Sequence, residues 1–169
     1  DPSVTINIKG KEKEIIQDPI LNEVYSNIHL SISNKDGSIF NRQKMIANLA
    51  LSLVWGSIHT LGPRNMWLTW NQYDQKLEPI LTDQGPWSDT KSYINSSLIL
   101  PYAYEIIFSN KPLEEEEFLN ELEHLNNYFA ENNPIEAINV LKDKYFPNDQ
   151  RFSKTPIFSN LLFLKENVS

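Results

Sequence analysis

The stretch 41–56 constrains this chain more than any other. Met45, Ile46, Leu49, Ala50, Leu53 and Val54 recur at helical spacing and share one face. Asn41 can accept the free N–H groups of a first turn, and Gly56 is placed to stop the helix. So wide an apolar stripe must lie against a core, and the chain must supply other apolar elements to cover it. It has the means: 40% of its 169 residues are apolar and 22% charged, as in an ordinary globular protein. That length suits one compact domain, 1–169, large enough to bury about 70% of its unfolded surface without disulfide or metal.

Several function classes are excluded or disfavoured at once. Lys and Arg number 15 against 22 Asp and Glu, for a net charge of −7, so a phosphate backbone is repelled and a nucleic-acid partner is not expected. The absence of cysteine removes disulfides, thiol catalysis and Cys-based zinc sites. No apolar run reaches the ~18 to 20 residues of a membrane helix, so no transmembrane segment is expected. Asp1 follows neither a methionine nor an apolar signal core, which reads as a trimmed product. The compartment stays open, export and cell-envelope association included.

Along the chain, Val4, Ile6 and Ile8 alternate up to Gly10, which predicts an N-terminal hairpin or extension over 1–37. The stretch 21–39 is ambiguous in type: Leu30 and Ile32 alternate like a strand, and Asn34-Lys35-Asp36-Gly37 reads as a turn. After Pro63 the period becomes two: Met66, Leu68 and Trp70 alternate with Trp67 and Thr69. A polar connection follows, and Pro79 keeps 77–81 extended, so 65–81 reads as a hairpin. The remainder is helical, over 91–100, 102–108, the stretch after Pro112, the stretch after Asn133-Pro134, and 157–164. Leu119, Leu122, Leu125 and Phe129 are the expected inward positions of the third, and Ile135, Ile138, Leu141 and Tyr145 those of the fourth. The expected fold is α+β, mostly helical, with a small antiparallel β-hairpin.

Chemistry-bearing residues are sparse. His29, His59 and His124 are too dispersed for a local metal motif, and no phosphate-cradling glycine loop occurs. Glu114, Glu115, Glu116 and Glu117 are best read as a solvated first turn favoured by the helix dipole. Trp55, Trp67, Trp70 and Trp87 cluster in one stretch. Trp67, Trp70 and Trp87 are the candidates for stacking on a ligand. The most informative constellation runs from His59 through Asn65 and the hairpin to Asp83. A helix, a short loop ending in Asn, a hairpin and a terminal Asp is the plan of a kinase catalytic centre, where preplaced cations meet the charge of the transferring phosphoryl group.

The residues that carry a resemblance are Met45-Ile46-Ala47-Asn48-Leu49-Ala50 leading to His59, then Asn65-Met66-Trp67, then Lys76-Leu77-Glu78-Pro79-Ile80 and Asp83. They resemble the spore-coat CotH-like atypical kinases, and 108–112, 145–147 and 160–165 look similar to the C-terminal lobe of that family. The resemblance covers roughly 38–166. It implies a kinase-like C-terminal lobe, with Asn65 and Asp83 as metal ligands, His59 and Asp83 as catalytic residues, Mg²⁺ or Mn²⁺ with ATP as cofactor, and a nucleotide and a protein substrate as partners. Two departures stand out. Thr60 occupies the position five before Asn65 where the family's catalytic Asp is expected, and 1–37 is too short for a full nucleotide-covering lobe. Without a positioned proton-transfer group, worth about 10²- to 10⁴-fold, a catalytically dead relative is as consistent as an enzyme. The alternative is a non-catalytic acidic binding module whose Trp-rich surface meets a protein or glycan.

Overall fold

In a computed structural model of the chain, the described residues are 19–62, 65–81, 90, 102–145, 147–148 and 156–167. Eight elements with side-chain packing follow in chain order. They are α1 (Pro19–Ser33), α2 (Arg42–Trp55), β1 (Trp67–Asn71), β2 (Lys76–Ile80), α3 (Tyr102–Ile107), α4 (Glu115–Glu131), α5 (Pro134–Tyr145) and α6 (Ile157–Asn167). The architecture is α+β and mostly helical, with a two-stranded antiparallel sheet, as expected. No described helix is long and apolar enough to cross a membrane.

α2 is the centre of the fold. Met45, Leu49, Ala50 and Val54 are fully shielded, and α4 and α6 pack along it while β2 meets its N-terminal half. Asn41 caps it as the sequence requires, its Oδ1 accepting from the Lys44 N–H at 3.3 Å. Gly56 ends it in the left-handed conformation at φ 69°, where a Cβ would be strained. Polar side chains meet the carbonyls of its last turn. Asn160 Nδ2 donates to Val54 O at 3.1 Å, and the buried Thr90 Oγ1 donates to Leu53 O at 2.5 Å. Asn160 Oδ1 in turn accepts from the Thr90 N–H at 2.9 Å. Carbonyls that a helix end leaves without partners are thus satisfied inside the protein.

The hairpin forms with the register Trp67↔Ile80, Thr69↔Glu78 and Asn71↔Lys76. Leu68, Trp70 and Leu77 turn toward the core, while Trp67, Thr69, Glu78 and Ile80 share the other face, because successive side chains alternate. Phe40 bridges to Leu77 in parallel and the Asn41 N–H donates to Leu77 O at 2.8 Å, so the chain entering α2 closes the far edge of β2.

Three expectations need correction. The strand-like alternation of Leu30 and Ile32 lies within a helix. Val24, Ile28 and Ile32, four apart, face the core, Pro19 occupies a first helical position, and Leu30 is 59% exposed. On α4 Phe118, which the sequence reading passed over, is buried beside Leu122 and Phe129, with Leu119 and Leu125 half-buried. On α5 only Pro134 and Ile138 are buried. Leu141 is 54% exposed and Tyr145 also faces solvent, because the buried positions of α5 fall in its first turns. The turn at 34–37 is as expected, and Gly37 is required there, since a Cβ would stand 2.3 Å from Ile107 O. Of the hairpin or extension expected over 1–37, Pro19–Ser33 is the helix α1, while 1–18 lie outside the described residues, as does the helix expected over 91–100.

The packing separates two leucines that sequence periodicity treats alike. Leu49→Ala should cost about 2 to 5 kcal/mol in chemical denaturation, whereas Leu141→Ala should stay within about 0.5 kcal/mol.

Candidate functional site

At the open end of the hairpin stands Asn65, which enters β1 two residues before Trp67. Its Nδ2 donates to the backbone carbonyl of His59 at 3.0 Å, joining the two ends of the loop that follows α2. The Asn65 Oδ1 takes no hydrogen bond among the described residues and the residue is exposed. His59 is half-buried in a short 3₁₀ turn (Ile58–Leu61). Thr60, at the register of the missing acid, faces inward. Its Oγ1 donates to Ser57 O at 2.6 Å and lies 3.3 Å from Ser52 Oγ. A buried neutral hydroxyl so engaged cannot serve as a base.

Asp83 and Trp87 lie outside the described residues. In the sequence Asp83 follows Ile80, and Ile80 pairs with Trp67, so β2 ends where Asn65 begins. The structure therefore brings His59 and Asn65 together. The tryptophans divide. Trp67 is 56% exposed, while Trp55 and Trp70 pack against the core. Among the described residues no group of three or more His, Asp or Glu side chains is arranged to hold a metal.

The polar network that the sequence reading missed lies at the opposite end of the hairpin. Glu78, only 8% exposed, receives Asn41 Nδ2 at 3.0 Å and Asn71 Nδ2 at 2.9 Å on one oxygen and Lys44 Nζ at 2.6 Å on the other. Asn71 also holds the turn: its Oδ1 accepts from the Tyr73 N–H at 3.0 Å and its Nδ2 donates to Asp74 at 3.0 Å. The hydrogen bonds from Lys44 and then Asn71 hold the Glu78 carboxyl below the ordinary carboxylate range against the opposing effect of burial. At the first position of α2, Arg42 makes a two-pronged pair with Glu117, Nε to Oε1 at 3.1 Å and Nη2 to Oε2 at 2.5 Å. It also donates to the carbonyls of Lys111 at 2.6 Å and Pro112 at 2.7 Å, and its guanidinium sits 4.9 Å from the Phe108 ring centre. The glutamate run is thus more than a solvated turn, since Glu117 anchors α4 to α2 and forms a reciprocal cap with Glu114.

A cleft of about 480 Å³ opens between Phe40, Arg42, Lys76, Ile107 and Lys111. It lies at the turn end of the hairpin, away from Asn65. Its cations are engaged: Arg42 by Glu117, Lys111 by Glu114 and Glu117, and Lys76 by the Ser38 carbonyl. His124 is exposed and lines a smaller neighbouring cleft of about 360 Å³ with Arg42 and Glu117. No signal of spacing could have found Glu78 or Arg42, whose partners lie far along the chain. The one hint is an acid inside the otherwise apolar run Leu77-Glu78-Pro79-Ile80. Compared with family models, curated proteins and solved structures, the chain matches none.

The Arg42–Glu117 pair sets a signed pH dependence. The Arg42 hydrogen bond, foremost among the causes, lowers the Glu117 pKa from 4.5 to about 2. A carboxylate lowered on folding stabilises fully above its unfolded value, and that contribution is lost as the pH falls from about 4.5 toward about 2. Glu117→Gln should therefore lose about 1.5 to 3 kcal/mol at neutral pH, and the difference from the wild type should shrink through that acid window in urea titrations.

Proposed function

We propose that this chain is a divergent portion of a CotH-like kinase lobe, one that binds a divalent cation together with ATP and has lost efficient phosphoryl transfer. The observation that carries the reading is Asn65. With its Nδ2 committed to the His59 carbonyl, its Oδ1 is left as a hard oxygen at the open end of the hairpin, the donor type that Mg²⁺ and Mn²⁺ take alongside phosphate and water. Asp83 comes three residues after β2 in the sequence and, as the family resemblance implies, would supply the carboxylate. The cation, when bound, neutralises charge on the ATP phosphates. His59 orients Asn65 through its backbone carbonyl. The inward Thr60 supports the loss of transfer, because an enzyme of this plan needs a base at that position. A protein substrate is the acceptor that the family resemblance implies.

A second reading is favoured by Trp67. A 56% exposed indole beside the exposed Ile80 suits a non-catalytic module that receives a protein or glycan on this face.

Calorimetry with Mn²⁺ and ATP tests the first reading. Weak binding of Mn²⁺, strengthened by ATP, is expected for the wild type and should vanish in Asn65→Ala and Asp83→Ala while circular dichroism stays unchanged. Absence of heat from the wild type, or equal heat from both variants, would end the kinase reading.

A further inference from the structure

The cleft at the turn end of the hairpin is lined by described residues, and hydrogen bonds between segments far apart in the chain hold its walls. On one side the Gly37 N–H donates to Ser109 Oγ at 3.2 Å, and Asn110 Nδ2 donates to Asp36. On the other, Arg42 reaches the carbonyls of Lys111 and Pro112. Its volume of about 480 Å³ falls within the ~300 to 1,000 Å³ of sites that take small molecules.

The positive charges around the cleft are not equally spent. Arg42 is paired with Glu117, and Lys111 with Glu114 and Glu117. Lys76 differs. Its partner is the Ser38 carbonyl, which carries no net charge, so two of the three N–H groups of the ammonium stay uncommitted. Asp36 acts on Lys76 only at a distance, because its carboxylate is held by Ser38 and Asn110. Gln43, exposed in the first turn of α2, brings to the same cleft an amide that makes no hydrogen bond among the described residues. Phe40 and Ile107 add apolar wall.

We propose that this cleft binds a small organic monocarboxylate. Lys76 takes the carboxylate, the Gln43 amide is a second donor, and an apolar body lies against Phe40 and Ile107. One open cation selects one negative charge. A phosphate dianion would bring a second charge that the cleft does not neutralise, and Asp74, which also lines it, would repel the excess. The net charge of −7 on the chain adds to the discrimination against multiply charged anions. A bare inorganic anion would leave the apolar wall in water, so the organic body is part of the recognition. The cleft lies away from Asn65, and the inference does not rest on the metal and ATP reading.

Amide NMR shifts of the labelled full chain, titrated with sodium phenylacetate, test this. Phenylacetate should shift the amides of Ser38, Gln43 and Lys76 with a Kd of about 1 mM, as suits one ion pair assisted by a single ring. Phenylacetamide, which has the shape without the charge, should bind at least about tenfold more weakly, and so should acetate and phenyl phosphate. Lys76→Gln should weaken phenylacetate about tenfold or more, whereas Lys76→Arg, which keeps the charge, should stay within about threefold of the wild type. Unchanged shifts at these amides up to about 20 mM phenylacetate overturn the inference. So does phenylacetamide or phenyl phosphate binding as well as phenylacetate, or a Lys76→Gln variant that binds like the wild type.

Discussion

The fold depends on an electrostatic mismatch at the start of α2 and on its correction. The positive end of the helix dipole carries Arg42 and Lys44 and no acid of its own. Both cations would be unfavourable there in an isolated helix. Each is met by a carboxylate from elsewhere in the chain, Glu78 from β2 and Glu117 from α4. The helix at the centre of the core thus has its first turn completed by the hairpin and by the next long helix. Those elements are drawn to one end of α2 by charge as well as by apolar contact.

This arrangement organises the rest of the molecule. The Glu78 carboxylate, nearly buried, gathers Asn41, Lys44 and Asn71, so the helix cap, the hairpin turn and the second strand are parts of one hydrogen-bonded unit. A buried acid is tolerated because its oxygens receive three donors, one of them charged. The hairpin is consequently rigid at its turn end. Its other end, where Asn65 and Trp67 stand, is exposed, and residues that meet partners are commonly found on surfaces held by such a scaffold.

What the sequence disclosed follows from the range of the interactions. α2 was legible because cap, stripe and stop all lie within one helix, and the hairpin because alternation and Pro79 are local signals. The α1 segment misled because Leu30 and Ile32 alternate by chance within a run whose Val24, Ile28 and Ile32 spacing is helical. Leu141 misled for the opposite reason: its periodicity is sound, but that turn of α5 lies at the surface. Arg42 and Glu78 were silent because their significance lies in partners that only the folded chain brings near. At the candidate site, the loop order from His59 to Asn65 was legible, and the inward rotation of Thr60 was not.

The contacts at the other end of α2 bear on timing. Asn160 reaches Val54 across 106 positions of sequence, and Thr90 reaches Leu53 across 37. During synthesis the chain emerges at about 5 to 20 residues per second, N-terminal segments first. α2 therefore leaves the ribosome with its last carbonyls open, and they remain so for seconds until α6 has been made. The central helix of the fold is among the first to appear and among the last to be finished, which makes the newborn chain dependent on its own C-terminal segment to seal the core.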